Sequence, residues 1–136
     1  MPADWQPAVP FDRCFDALYG LEVASDGIED DGLLRGRVAV TDAILNHAGV
    51  VHGGVFAAAA EALASRGTAL VVLSQDRLAV GLSNDTRVLD APATGILRFE
   101  ARVRDRGDDA WVWIVDARSE DGALCATSTV TVAVRG

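Results

Sequence analysis

Glu61 is the only acidic residue between Val50 and Leu73, in a stretch otherwise dominated by alanine and aliphatic side chains. A carboxylate taken out of water without a partner costs several kcal/mol or takes up a proton, so its presence there asks for a reason. It can be structural, paired with Arg66 or holding neighbouring backbone, or it can serve as a general base or nucleophile. Eight residues earlier, Gly53 and Gly54 stand at the start of the same apolar stretch. If that stretch is a helix, its first amides lack acceptors and its dipole presents positive charge there. Glycines let a substrate carbonyl come close enough to be polarised by such amides. His52, His47 and Asn46 precede the glycines and offer further hydrogen-bonding groups. Ser65 lies one turn beyond Glu61 on the same side, where it can hold a water or bond back to the carbonyl of residue 61.

The spacing limits how these groups can cooperate. Eight helical residues span about 12 Å along the axis, so one helix cannot bring Gly53 and Glu61 to one carbon atom. If both act on one carbonyl, Glu61 must come from a second subunit whose helix runs antiparallel across a two-fold axis. Other chemistries find no support: there is no Gly-x-Ser-x-Gly elbow, phosphate loop or dinucleotide fingerprint. The two cysteines, Cys14 and Cys125, have no zinc-ligand spacing, and neither metal nor cofactor is expected.

The elements that position these residues follow from periodicity. Pro10 opens a short helix over residues 11–20, with Phe11, Phe15 and Leu18 at helical spacing and Gly20 as its stop. Residues 21–25 and 32–40 read as a hairpin joined by an acidic turn over 26–31, and residues 41–51 as a loop. Residues 53–73 are apolar nearly all round, which predicts a buried central helix rich in alanine. Strands are expected over 78–89, 96–106, 110–118 and 123–134, at meander spacings set by turns at 106–109 and 120–122. The sum is an α+β domain over residues 1–136, with an antiparallel sheet against one long helix.

With 136 residues and half of them hydrophobic, the chain can bury a core without disulfides. Its twelve cations are all arginine, and a net charge of −8 argues against nucleic acid. No basic leader followed by an apolar stretch opens the sequence, and no uninterrupted apolar run reaches membrane-spanning length. A cytoplasmic protein away from the membrane is the expectation.

The run Asn46-His-Ala-Gly49-Val-Val-His52-Gly53-Gly54, followed by Glu61 and Ser65, resembles the signature of hotdog-fold thioesterases. The nearest branches are the Arthrobacter-type 4-hydroxybenzoyl-CoA thioesterases and the phenylacetate-pathway thioesterases. The likeness extends from about Val38 to Val134, including residues 80–84, Trp111-x-Trp113 and residues 124–126. It implies a sheet wrapped around one helix, and hydrolysis of an acyl-CoA to an acid and a free thiol. The Gly53 amide would polarise the carbonyl, Glu61 of the partner would attack or activate water, and His52 and Asn46 would orient the carbonyl end. Ser65 stands where one branch has threonine. Gly54, Phe56, Asn84 and Arg87 are expected on the substrate, and a homodimer or dimer of dimers is implied.

The sequence departs from the hydroxybenzoyl-CoA branch where that branch grips the nucleotide: Asp90 replaces an arginine and Asp108-Asp109 replace small hydroxyl residues. Three acids beside a polyanion would repel it, which leaves an acyl carrier protein as the alternative thiol carrier, or Arg87, Arg104 and Arg106 as a different grip. A hotdog hydratase and a non-catalytic acyl-CoA-binding module are the rival functions; the hydratase motifs are absent, and Glu61 has little use in a binder.

Overall fold

The computed structural model describes residues 4–24 and 32–136. Helix α2 (Gly53–Val72) continues as a 3-10 turn over Leu73–Gln75 and lies against a six-stranded antiparallel sheet. The strands are β1 (Glu22–Val23), β2 (Leu33–Ala39), β3 (Leu78–Val88), β4 (Ile96–Arg106), β5 (Ala110–Arg118) and β6 (Leu124–Arg135). Their order across the sheet is β1-β2-β4-β5-β6-β3. This is the hotdog arrangement that the resemblance implies.

Alternation decides which side of each strand meets the helix. Leu97, Phe99 and Ala101 of β4, and Trp111, Trp113, Val115 and Ala117 of β5, are buried at every second position. They close on Phe56, Ala59, Ala60, Leu63 and Ala64 of α2. The alanines bring the backbones close, and Gly67 does so most: a Cβ there would lie 2.4 Å from the Trp113 indole. That indole is fixed by donating from Nε1 to Thr68 Oγ1 (2.9 Å), whose hydroxyl donates in turn to the Ala64 carbonyl (2.8 Å). Each buried polar atom is thereby satisfied.

Strands β4, β5 and β6 form the anticipated meander, and β3 pairs with β6 at the far edge, because α2 carries the chain across the sheet before β3 begins. Three expectations need correction. The first helix, α1, spans only Phe15–Leu18; none of its residues is buried, so no packing extends it. The loop over 41–51 contains a 3-10 turn at Asp42–Ile44 and a bridge between Leu45 and Val51. The helix over 53–73 is not buried all round, since Gly54 and Glu61 are exposed. The β1–β2 hairpin forms as anticipated, with Glu22 opposite Arg37; its acidic turn lies outside the described residues. Gly53–Gln75 is long and apolar enough to cross a membrane by length and composition, but one face of it is the floor of the sheet's core.

Candidate active site

The site begins with a tight turn before α2. Asn46 Oδ1 accepts from the amides of Ala48 (2.9 Å) and Val50 (3.4 Å), and Gly49 adopts φ +82°, a left-handed conformation that glycine takes without strain. Asn46 thus builds the loop with its oxygen and keeps its Nδ2 for other partners. The turn returns the chain so that the His52 amide meets the Ile44 carbonyl (2.9 Å), which sets the residues at the mouth of the helix.

His52 is the N-cap of α2. Its Nδ1 accepts from the Gly54 amide at 2.8 Å, and its carbonyl accepts from Val55. An accepting Nδ1 in a neutral imidazole leaves the proton on Nε2, so the ring offers an N–H donor outward. The second glycine serves this cap: a Cβ on Gly54 would lie 2.9 Å from His52 Nδ1. Gly54 therefore spends its amide on the histidine and does not offer it to a substrate, contrary to the expectation. Gly53 differs, because among the described residues its amide has no acceptor. One free backbone donor and one imidazole N–H stand together at the positive end of a 20-residue helix.

Gly54, Ala58, Glu61 and Ser65 follow one another at intervals of four, three and four residues, which lays them along one stripe of α2. Each is exposed or half-buried, unlike the core stripe beside it. Glu61 is solvent-exposed and leans over β3, where a Cβ on Gly81 would lie 2.9 Å from its Oε1. The pairing of β3 with β6 slips there, between Gly81 and Ser83, so that Leu82 bulges outward at the carboxylate. The sequence reading missed this bulge; Gly81 inside an alternating strand is the signal that marks it.

The structural reading of Glu61 loses its proposed partner. Arg66 Nη2 lies 3.5 Å from Asp16 Oδ2, and the guanidinium rests 4.5 Å from the centre of the Phe11 ring. Glu61 has no ion pair among the described residues. Nor does Ser65 bond back to the carbonyl of residue 61; its hydroxyl is unpartnered there, while Thr68 makes that kind of bond.

Two further residues are placed differently from expectation. Asn84 Nδ2 donates to the Ala57 carbonyl (2.9 Å), and its Oδ1 accepts from Thr86, which also meets Ser128 (2.7 Å). It clamps α2 to β3. Phe56 is 1% exposed and packs against Phe99 in the core, because its position falls on the sheet-facing side of α2. Arg87 is exposed on β3, next to Val88, whose side chain borders Gly53. Of the alternative cations, Arg106 is stacked 4.4 Å over Trp111. The acids do not cluster in one chain: Asp90 follows Val88 near the start of α2, whereas Asp109 faces Arg77 beyond its end (4.0 Å).

A second feature adjoins His52. A cavity of about 350 Å³ lies between α1, the turn at 43–45 and the first turns of α2. Tyr19 in its wall donates to Asp16 Oδ1 at 2.5 Å. Burial, and then the hydrogen bond to that carboxylate, push its ionisation above the ordinary tyrosine range, so the phenol stays neutral.

Comparison with known proteins agrees with this geometry. Residues 48–126 match the family model described as the thioesterase superfamily. A Deinococcus radiodurans protein, provisionally named an esterase, is 33% identical over 114 residues, covering 79% of this chain and 72% of its own. A thioesterase from Haemophilus influenzae superposes with a TM-score of 0.78 at 29% identity, covering 87% of this chain and 80% of its own. A phenylacetic acid degradation-related protein from Ralstonia eutropha gives 0.76 at 26%, covering 86% of each chain. A free amide at the head of a central helix, a carboxylate exposed farther along it, and a match over more than half the chain place this protein in the thioesterase superfamily, as a hotdog-fold thioester hydrolase.

Proposed function

We propose that the protein is an acyl-CoA thioesterase acting on aryl or medium-chain esters, working in the cytoplasm as a dimer or dimer of dimers. The observation that carries this reading is the pairing of an unsatisfied Gly53 amide with an unpaired Glu61 carboxylate about 12 Å farther along the same helix. In the proposed site the thioester oxygen accepts from Gly53 N–H, with His52 Nε2–H and Asn46 Nδ2 beside it. Charge that builds on that oxygen during attack is stabilised by the donors and the helix dipole. Glu61 of the facing subunit attacks the carbonyl carbon or takes a proton from the attacking water, and Ser65 holds that water. The C–S bond breaks, the thiol leaves protonated, and water supplies the acid's second oxygen.

The sheet edges support a second copy as the missing half. Strand β1 has two residues, whereas β3 runs for eleven and leaves Leu78, Val80, Leu82 and Val88 exposed, with Leu89 just beyond its end. Such an edge invites pairing with another strand. A second copy across a two-fold axis would cover it and bring Glu61 to the opposite Gly53.

The carrier of the acyl group is tested by a thiol-release screen with benzoyl-, hydroxybenzoyl-, phenylacetyl-, dihydroxynaphthoyl- and straight-chain CoA esters, repeated on carrier-protein thioesters. Turnover of CoA esters is the expected result. Release only from carrier-protein thioesters would transfer the reading to that substrate, and Asp90 would then be the reason for poor CoA binding. Hydration of an enoyl ester without thiol release would overturn it.

A further inference from the structure

The cavity beside His52 is bounded by Phe15 and Leu18 of α1 on one side and by Ile44, Val55 and Ala58 on the other. Its walls are apolar apart from His52 and Tyr19, whose phenol is turned to Asp16. It opens at the histidine whose neighbour Gly53 holds the free amide, and Ala58 places it on the same stripe as Glu61. Pockets of this size and lining take small apolar ligands. Phe15 and Leu18 stand 65% and 77% exposed at its rim, an arrangement that leaves apolar surface for a ligand to cover.

The cover is held in an unusual way. Helix α1 buries none of its residues and so has no core packing of its own. Asp16 ties it to α2 by receiving both the Tyr19 hydroxyl and the Arg66 guanidinium, and Arg66 also carries the Phe11 ring. The position of the cavity wall thus rests on this half-buried polar junction together with the burial of Tyr19 in the core just after α1.

We propose that this cavity receives the acyl group of the substrate and that α1, positioned through Asp16, Tyr19 and Arg66, sets the largest acyl group accepted. This rests on the thioesterase reading above, and assigns Leu18 and Ala58 as specificity residues and Arg66 as a positioning residue. An acyl chain entering here leaves its carbonyl at the mouth, beside Gly53, with the thiol portion directed outward.

The test compares kcat/KM across straight-chain acyl-CoA esters of increasing length for the parent, Ala58→Leu, Leu18→Ala, Arg66→Gln and the control Val9→Ala. Ala58→Leu should lose about tenfold or more on the longest good substrates and stay within about twofold on the shortest. Leu18→Ala lies at an exposed position and folds whatever the fate of Ala58→Leu; it should move the optimum to longer chains. Arg66→Gln should flatten the length profile without lowering the rate on the shortest ester, and Val9→Ala should leave the profile in place. Profiles that keep the parent's shape in all the cavity variants, in an enzyme still silenced by Glu61→Gln, would overturn the cavity assignment alone. A folded parent that releases no thiol from any ester would overturn the thioesterase reading and this proposal with it.

Discussion

The two long faces of α2 are built from the same small vocabulary of alanine, glycine and aliphatic residues, yet they do different work. Phe56, Ala60, Leu63, Ala64, Gly67 and Thr68 meet the sheet, and each finds its packing or hydrogen-bond partner inside the chain. On the stripe of Gly54, Ala58, Glu61 and Ser65 the carboxylate and the hydroxyl have no partner among the described residues. Apolar composition all round therefore does not mean burial all round. A face made of small residues can be close-packed against a sheet, or it can be the floor of a site that waits for other molecules.

The largest test of this contrast is Glu61→Gln, which keeps the side chain's size while removing its charge. Turnover should fall by about two orders of magnitude or more, as for loss of a nucleophile or base, while circular dichroism and thermal midpoint stay close to the parent's. Parent-like hydrolysis by the folded variant would return Glu61 to a structural role. Gly67→Ala addresses the opposite face. Its added methyl meets the Trp113 ring, so denaturant unfolding should show a loss of about 1–3 kcal/mol, with activity per folded molecule retained. If this change instead lowered turnover and spared stability, the division between the faces would be wrong.

The smallest effect concerns the junction beside the open face. Tyr19 is the only tyrosine and the chain has no lysine, so few other groups titrate in the alkaline range. Its ionisation is raised in the folded protein, first by burial. The unfolded chain therefore releases that proton first: the stability linked to Tyr19 is intact below about pH 10 and declines above it. Phenolate absorbance should appear late, together with unfolding, and Tyr19→Phe should remove that limb of the stability profile. Early phenolate absorbance from a fully folded protein would show the hydroxyl to be in water.

Much of this was legible in the residue order. The ends of β4 and β5, and the start of α2 at Gly53, follow directly from alternation and from the glycine pair. What was hidden is pairing over distance. Periodicity finds β3 but cannot say that it lies beside β6 and not β4, because the crossing is made by α2 and the register by backbone hydrogen bonds. The site shows the same limit. Gly53 and Glu61 stand out by type, whereas the roles of Gly54 as partner of the His52 cap and of Asn84 as a clamp depend on hydrogen bonds that no spacing reveals. Arg66 was legible as a cation near Glu61; its choice of Asp16 comes from the way α1 folds back.

The length of α2, a single helix of 20 residues, has a consequence for how activity responds to dilution. On the proposed reading, each helix carries the donor half of one site and the carboxylate half of another, held apart by a rod about 12 Å long. A lone subunit then contains two halves and no whole site, and a pair contains two whole sites that appear and vanish together. Specific activity becomes a measure of association, falling by mass action as the protein is thinned out. The amount of protein present would act as a switch on the reaction, with no regulator other than the chain itself.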